Sequence, residues 1–130
     1  MDNKGFTLIE VILVIVILGV LASILIPNFN KYQLKSRVTA HNATVKTLKT
    51  AGQLCYIDNP NLAEGDLKTK VLEYLEEGSS LEVDSHLVGL ANLNKEFILS
   101  LEDGGIKIEP GYLEIAEDGK TISERSGGGQ

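Results

Sequence analysis

Apolar residues fill nearly every position from Phe6 to Ile26, interrupted only by Thr7, Glu10, Gly19 and Ser23. As a helix this run of 21 residues is about 31 Å long, the thickness of a bilayer's hydrocarbon core. Beyond Pro27 the spacing of apolar positions opens out. Tyr32, Val38, Val45, Leu48, Gly52 and Cys55 fall near one helical face, interleaved with Lys, Thr and Asn. The two patterns together predict one helix of about fifty residues, Thr7 to Cys55, half membrane-embedded and half packed on a small domain. Pro27 removes a backbone donor from that helix, and Gly19 is its other weak point.

The pattern then changes period. Asp58-Asn59-Pro60-Asn61 is a turn cluster that ends the long helix. A second helix is expected from about Gly65 to Glu77, with Asp66 as its N-cap and Gly78-Ser79-Ser80 as its stop. Leu81 to Asn94 has no clean period and reads as a short strand plus loop. Phe97–Leu101 and Ile106–Glu109 read as strands joined by Asp103-Gly104-Gly105. Tyr112–Ala116 and Thr121–Ser123 form a second such pair around Asp118-Gly119. The expected class is α+β: a long N-terminal helix packed on a small antiparallel sheet of three to four strands. The expected domains are 6–27 as the spanning helix, 28–125 as the globular part and 126–130 as a flexible tail.

Charge is segregated along the chain. Residues 28–57 carry Lys31, Lys35, Arg37, Lys46 and Lys49 and no acid, a net of +5. Residues 58–130 carry 16 acidic against six basic residues, a net of −10. An acidic outer part argues against nonspecific nucleic-acid binding, which needs a basic footprint. The basic stretch suits anionic headgroups or acidic surfaces of neighbouring subunits. Cys55 is the only cysteine, so no disulfide can form within the chain, and it reads as a small buried apolar residue.

One carboxylate sits inside the apolar run. Glu10 is the only formal charge between Lys4 and Lys31, and such a charge costs roughly 2.5 kcal/mol or more in a bilayer, so it marks a function with a cationic partner. Lys4-Gly5-Phe6-Thr7-Leu8-Ile9-Glu10, running into a segment closed by Ile26-Pro27, resembles the prepilin signature of the type IV filament superfamily. That superfamily comprises type IV pilins, type II secretion pseudopilins and competence pilins. The resemblance implies that a prepilin peptidase cuts between Gly5 and Phe6 and N-methylates the new terminus. Residues 1–5 are then a leader. It also implies that Glu10 pairs with the Phe6 amine of a neighbouring subunit during assembly on an inner-membrane platform. Chemistry agrees: cutting before Phe6 creates an ammonium, and a charge costly alone becomes tolerable when paired. Repeating such a heterologous contact gives an open helical homopolymer. Some members melt the helix in the stretch that corresponds to Gly19–Pro27. A precursor in the cytoplasmic membrane and an extracellular filament are implied. That orientation comes from the resemblance, because Lys31, Lys35 and Arg37 beyond the span run against the positive-inside rule.

Other chemistry is thinly represented. A secretory signal peptide would need a shorter apolar core and a small-residue cleavage site after Ile26. His41 and His86 lack metal-ligand spacing and read as surface or cap residues. No phosphate-binding loop is present, and neither a catalytic residue, a cofactor nor a metal is expected. Asp103, Glu117 and Asp118 are turn acids without an established converging loop for calcium. Two rival readings stay open: a secretion or competence pseudopilin, and a membrane-tethered binding module.

Overall fold

A computed structural model describes residues 4–126; most of the expected leader (Met1–Asn3) and nearly all of the expected flexible tail (127–130) lie outside them. By contacts the chain divides into two units, one up to Leu34 and one from Lys35 onward.

Helix α1 covers Leu8–Asp58 with Pro27 inside it. In the first unit every described residue from Lys4 to Gln33 is exposed, Tyr32 included. Tyr32 thus does not join the buried face that its spacing predicted. In the second unit α1 turns Val38, Val45, Leu48, Ala51 and Cys55 inward. Val45, Leu48, Ala51 and Cys55 meet Leu67 and Val71 of α2 (Glu64–Glu73), together with Leu81, Val83, Phe97, Ile106 and Ile108. Cys55 is fully buried, and that burial pushes its thiol pKa up, which keeps the sulfur an inert packing atom.

α2 departs from its expected ends. Ala63 takes the N-cap position without a side-chain hydrogen bond, and Asp66 lies inside the first turn, where a carboxylate still favours the helix dipole. The helix stops at Glu73, short of Glu77. The stretch read as strand plus loop contains a helix, α3 (Ser85–Ala91). Asp84 caps it by accepting the His86 and Leu87 amides at 2.8 and 3.4 Å. Asn92 ends it in the left-handed conformation. Just before α3, Glu82 pairs with Glu96 in an isolated bridge.

Four antiparallel strands complete the α+β fold, divided between two hairpins rather than joined in one sheet. β1 (Ile98–Glu102) pairs with β2 (Gly105–Glu109), and β3 (Leu113–Ile115) pairs with β4 (Ile122–Glu124). Asp103 and Gly104 make the first turn, both with positive φ, the geometry of a tight two-residue hairpin loop. Asp118 organises the second, accepting the Lys120 and Thr121 amides at 2.8 Å and the Thr121 hydroxyl. Those bonds, the hydroxyl's first, hold its carboxyl down to about 2. Whatever stability they give is present above the ordinary carboxylate pKa and lost as pH falls towards 2.

α1 is stapled to β3 by two residues that its apolar pattern did not single out. Asn42 donates to the Leu113 carbonyl at 2.9 Å and accepts the Leu113 amide at 2.8 Å, pairing both backbone groups as a neighbouring strand would. His41 is buried, against the expectation of a surface position. Its Nε2 lies 2.9 Å from the Gly111 carbonyl, and its ring stacks on Phe97 at 5.2 Å between centroids. Arg37 reaches Asp84 at 2.7 Å and so ties α1 to the α3 cap. Burial raises the Asp84 pKa, but the His86 amide, Arg37 and the Leu87 amide outweigh it and the net shift is downward.

Because the core cluster begins at Val45, the chain without residues 1–30 is expected to fold on its own. Circular dichroism of that truncation should show a cooperative mixed α/β transition. A coil spectrum at low temperature would mean that the apolar segment is needed for folding.

Candidate processing and assembly segment

The residues proposed for processing and assembly all lie in the first unit. Lys4 to Thr7 has no regular structure and the helix starts at Leu8. The bond between Gly5 and Phe6 therefore lies in open chain, with Phe6 90% exposed and open space around the Gly5 α-carbon. A protease needs such extended, uncovered backbone.

The helix start has a local cause that the sequence reading passed over. Thr7-Leu8-Ile9-Glu10 has the sequence of a capping box and makes its glutamate half: the Glu10 carboxylate accepts the Thr7 amide at 2.8 Å. The Glu10 and Val11 amides in turn reach the Thr7 carbonyl at 3.1 and 3.3 Å. Among the described residues the carboxylate thus has one donor in its own chain. The signal was present as a Thr three residues ahead of a Glu, before an apolar run. Beyond it the helix is long and apolar enough to cross a membrane, by length and composition.

Gly19 and Pro27 sit in continuous helix. The missing Pro27 N–H leaves the Ser23 carbonyl without its usual partner. Around it the Ser23 hydroxyl donates to the Val20 carbonyl at 2.7 Å, and the Asn28 amide to the Ile24 carbonyl at 3.4 Å. Such back-bonding side chains compete with the helix ladder where it is already weakest.

Elsewhere, among the described residues, no three His, Cys, Asp or Glu side chains gather as a metal site. Asp103 and Asp118 stand at the tips of separate hairpins, and His86 is exposed in the first turn of α3.

Comparison with known proteins points the same way as the geometry. Residues 1–26 match the family described as the prokaryotic N-terminal methylation motif. Over 49 residues, 38% of this chain and 22% of the relative, the sequence is 49% identical to the type IV major pilin protein PilA of Myxococcus xanthus. A type IV major fimbrial protein FimA of Dichelobacter nodosus is 28% identical over 134 residues, 91% of this chain and 72% of that protein. The type II secretion system core protein G of Pseudomonas aeruginosa is 36% identical over 58 residues, 45% of this chain and 41% of its own length. The chain spans less than half the length of the first relatives it matches. No solved structure matches. The matched motif and these relatives support the type IV pilin and type II pseudopilin superfamily, whose prepilin-type N-terminal segment this chain carries.

Proposed function

We propose that the chain is the structural subunit of a type IV pilus-like surface filament, polymerising through its N-terminal helix and carrying no catalysis of its own. The observation that carries the reading is a single carboxylate, Glu10, in an apolar helix that begins just past the uncovered Gly5–Phe6 bond. Cutting there supplies the one cation able to neutralise it. The precursor waits in the cytoplasmic membrane as a single-pass protein, is cut by a prepilin peptidase, and passes through an inner-membrane platform into an extracellular homopolymer. Electron microscopy of sheared surface fibres, with mass spectrometry of their main subunit, tests this. The expected subunit begins at Phe6 and bears one methyl group; assembled subunits that keep Met1 would refute the processing step.

The match to a type II secretion core protein G favours a second reading, a pseudopilin. Fibre length separates the two: long surface fibres for a pilin, short envelope-bound ones for a pseudopilin.

In the filament, Gly19 to Pro27 is the proposed place for the helix to lose hydrogen bonds. Glycine costs about 1 kcal/mol and proline about 3 in a helix interior, so unwinding is cheapest there. In lipid the exposed backbone would forbid it, which agrees with the unbroken helix of the single chain. Neighbouring helices in a fibre replace lipid and remove that penalty. A filament density map should show weakened or missing helical bonds between Gly19 and Pro27. An unbroken straight ladder from Ile24 to Asn28 would show the proposal wrong.

A further inference from the structure

Resting on the filament reading, we propose that a lysine face of α1, formed by Lys35, Lys46 and Lys49, docks on the acidic surface of a second copy of this chain. The three residues lie within an arc of about 60° on the helix, from their spacing of eleven and fourteen residues. None has a carboxylate within 4 Å among the described residues. Other cations of the domain are engaged: Lys68, Lys70 and Lys107 meet Glu96, Glu73 and Glu102, and Arg37 on the other side of α1 meets Asp84. Lys95 and Lys120 also lack ion pairs among the described residues but lie outside α1, so within the α1 part of the domain the unpaired positive charge falls on one helical face. Unpaired negative charge collects on the domain, where Glu64, Asp66, Glu82, Asp103 and Glu117 are exposed and have no ion pair among the described residues. Near these lysines, Thr39 and Thr50 turn their hydroxyls onto the Lys35 and Lys46 carbonyls at 2.9 and 3.0 Å, so those donors are already engaged within the helix.

One other occupant fits less well. A nucleic acid approaching these few lysines would meet the repulsion of the acidic stretch 58–130, whose net charge is −10. A second copy supplies the complementary surface itself. A basic face on one part and an acidic face on another make a heterologous contact, the kind that propagates a fibre.

The test compares two full-length double variants of equal charge change, each expressed as the sole subunit. Lys46→Glu/Lys49→Glu reverses the face; Lys95→Glu/Lys120→Glu reverses two exposed lysines of the domain that also lack ion pairs among the described residues. Sheared-fibre yield should fall roughly tenfold for the first and stay within about twofold for the second, since opposed like charges at an interface are costly. Wild-type fibres should shed subunits at about 0.5 M salt, where exposed pairs are screened. Equal yields from the two variants would overturn the proposal. Circular dichroism of each detergent-solubilised chain checks the fold. Should the reversed face unfold the chain, the neutral Lys46→Gln/Lys49→Gln variant takes its place; it is expected to lower yield several-fold and salt tolerance with it, and wild-type values for both would overturn the proposal. A wild-type chain that forms no fibre would instead overturn the filament reading, and this inference with it.

Discussion

Replacing Glu10 by valine is expected to leave membrane insertion and cleavage intact and to abolish filaments made from that subunit alone. Cleavage depends on open backbone around Gly5 and Phe6, which the substitution does not cover. Assembly depends on charge. In the proposed assembly the mature Phe6 ammonium enters an apolar bundle, and a buried ion left unpaired by removal of its partner costs about 3 to 5 kcal/mol. That penalty falls on every subunit added, so even its lower bound depresses growth by more than a hundredfold. Glu10 has a second role that must be separated, because its carboxylate also accepts the Thr7 amide and starts the helix. A lost capping interaction costs only about 1 kcal/mol. Glu10→Gln keeps an oxygen for that amide and loses the charge. If pairing drives assembly, Gln fails as Val does, and Glu10→Asp recovers part of the yield. Filaments at the wild-type level from Glu10→Gln would assign the residue to capping alone.

Replacing Gly52 by valine is expected to destabilise the second unit by about 2 kcal/mol or more, within the range for overpacked cores. A β-carbon built on Gly52 would lie 2.8 Å from Cδ1, 3.1 Å from Cγ2 and 3.4 Å from Cβ of Ile106. The first atom is the end of a flexible side chain and can move aside. The others sit close to the β2 backbone, so valine's extra carbons push α1 and the β1–β2 hairpin apart. Here glycine serves close approach rather than a special dihedral, since it sits in helix. Alanine at Gly52 sets a helix-propensity gain of about 1 kcal/mol against the same clash. Combining it with Ile106→Val, which deletes Cδ1, should cost less than the two single changes summed. Thermal melts of the truncation lacking residues 1–30 supply the cycle; strict additivity would mean that the contact carries no strain.

The long helix was legible because two periodicities meet in it: a continuous apolar run, then a stripe at helical spacing. Both hairpins were legible from the turn pairs Asp103-Gly104 and Asp118-Gly119 between alternating residues. What escaped is short or polar. α3 has seven residues and a single buried side chain, Leu87, too little for a period to show. Its Asp84 cap and Asn92 stop were the available signals. His41 and Asn42 bind backbone groups about seventy residues away, a pairing that no local pattern encodes. The separation of the strands into two hairpins follows from partner choice across the fold, to which residue alternation is blind. At the N-terminus the proposed cleavage pair and the lone carboxylate stood out by composition, whereas coordinates were needed to show Glu10 already engaged with the Thr7 amide of its own chain.

The most direct test is a density map of the assembled fibre that resolves side chains around Phe6. The account predicts the Glu10 carboxylate within ion-pairing distance, about 4 Å, of the methylated Phe6 amine of a neighbouring subunit. A map in which Glu10 meets only the Thr7 amide of its own chain, with the neighbour's amine elsewhere, would contradict it.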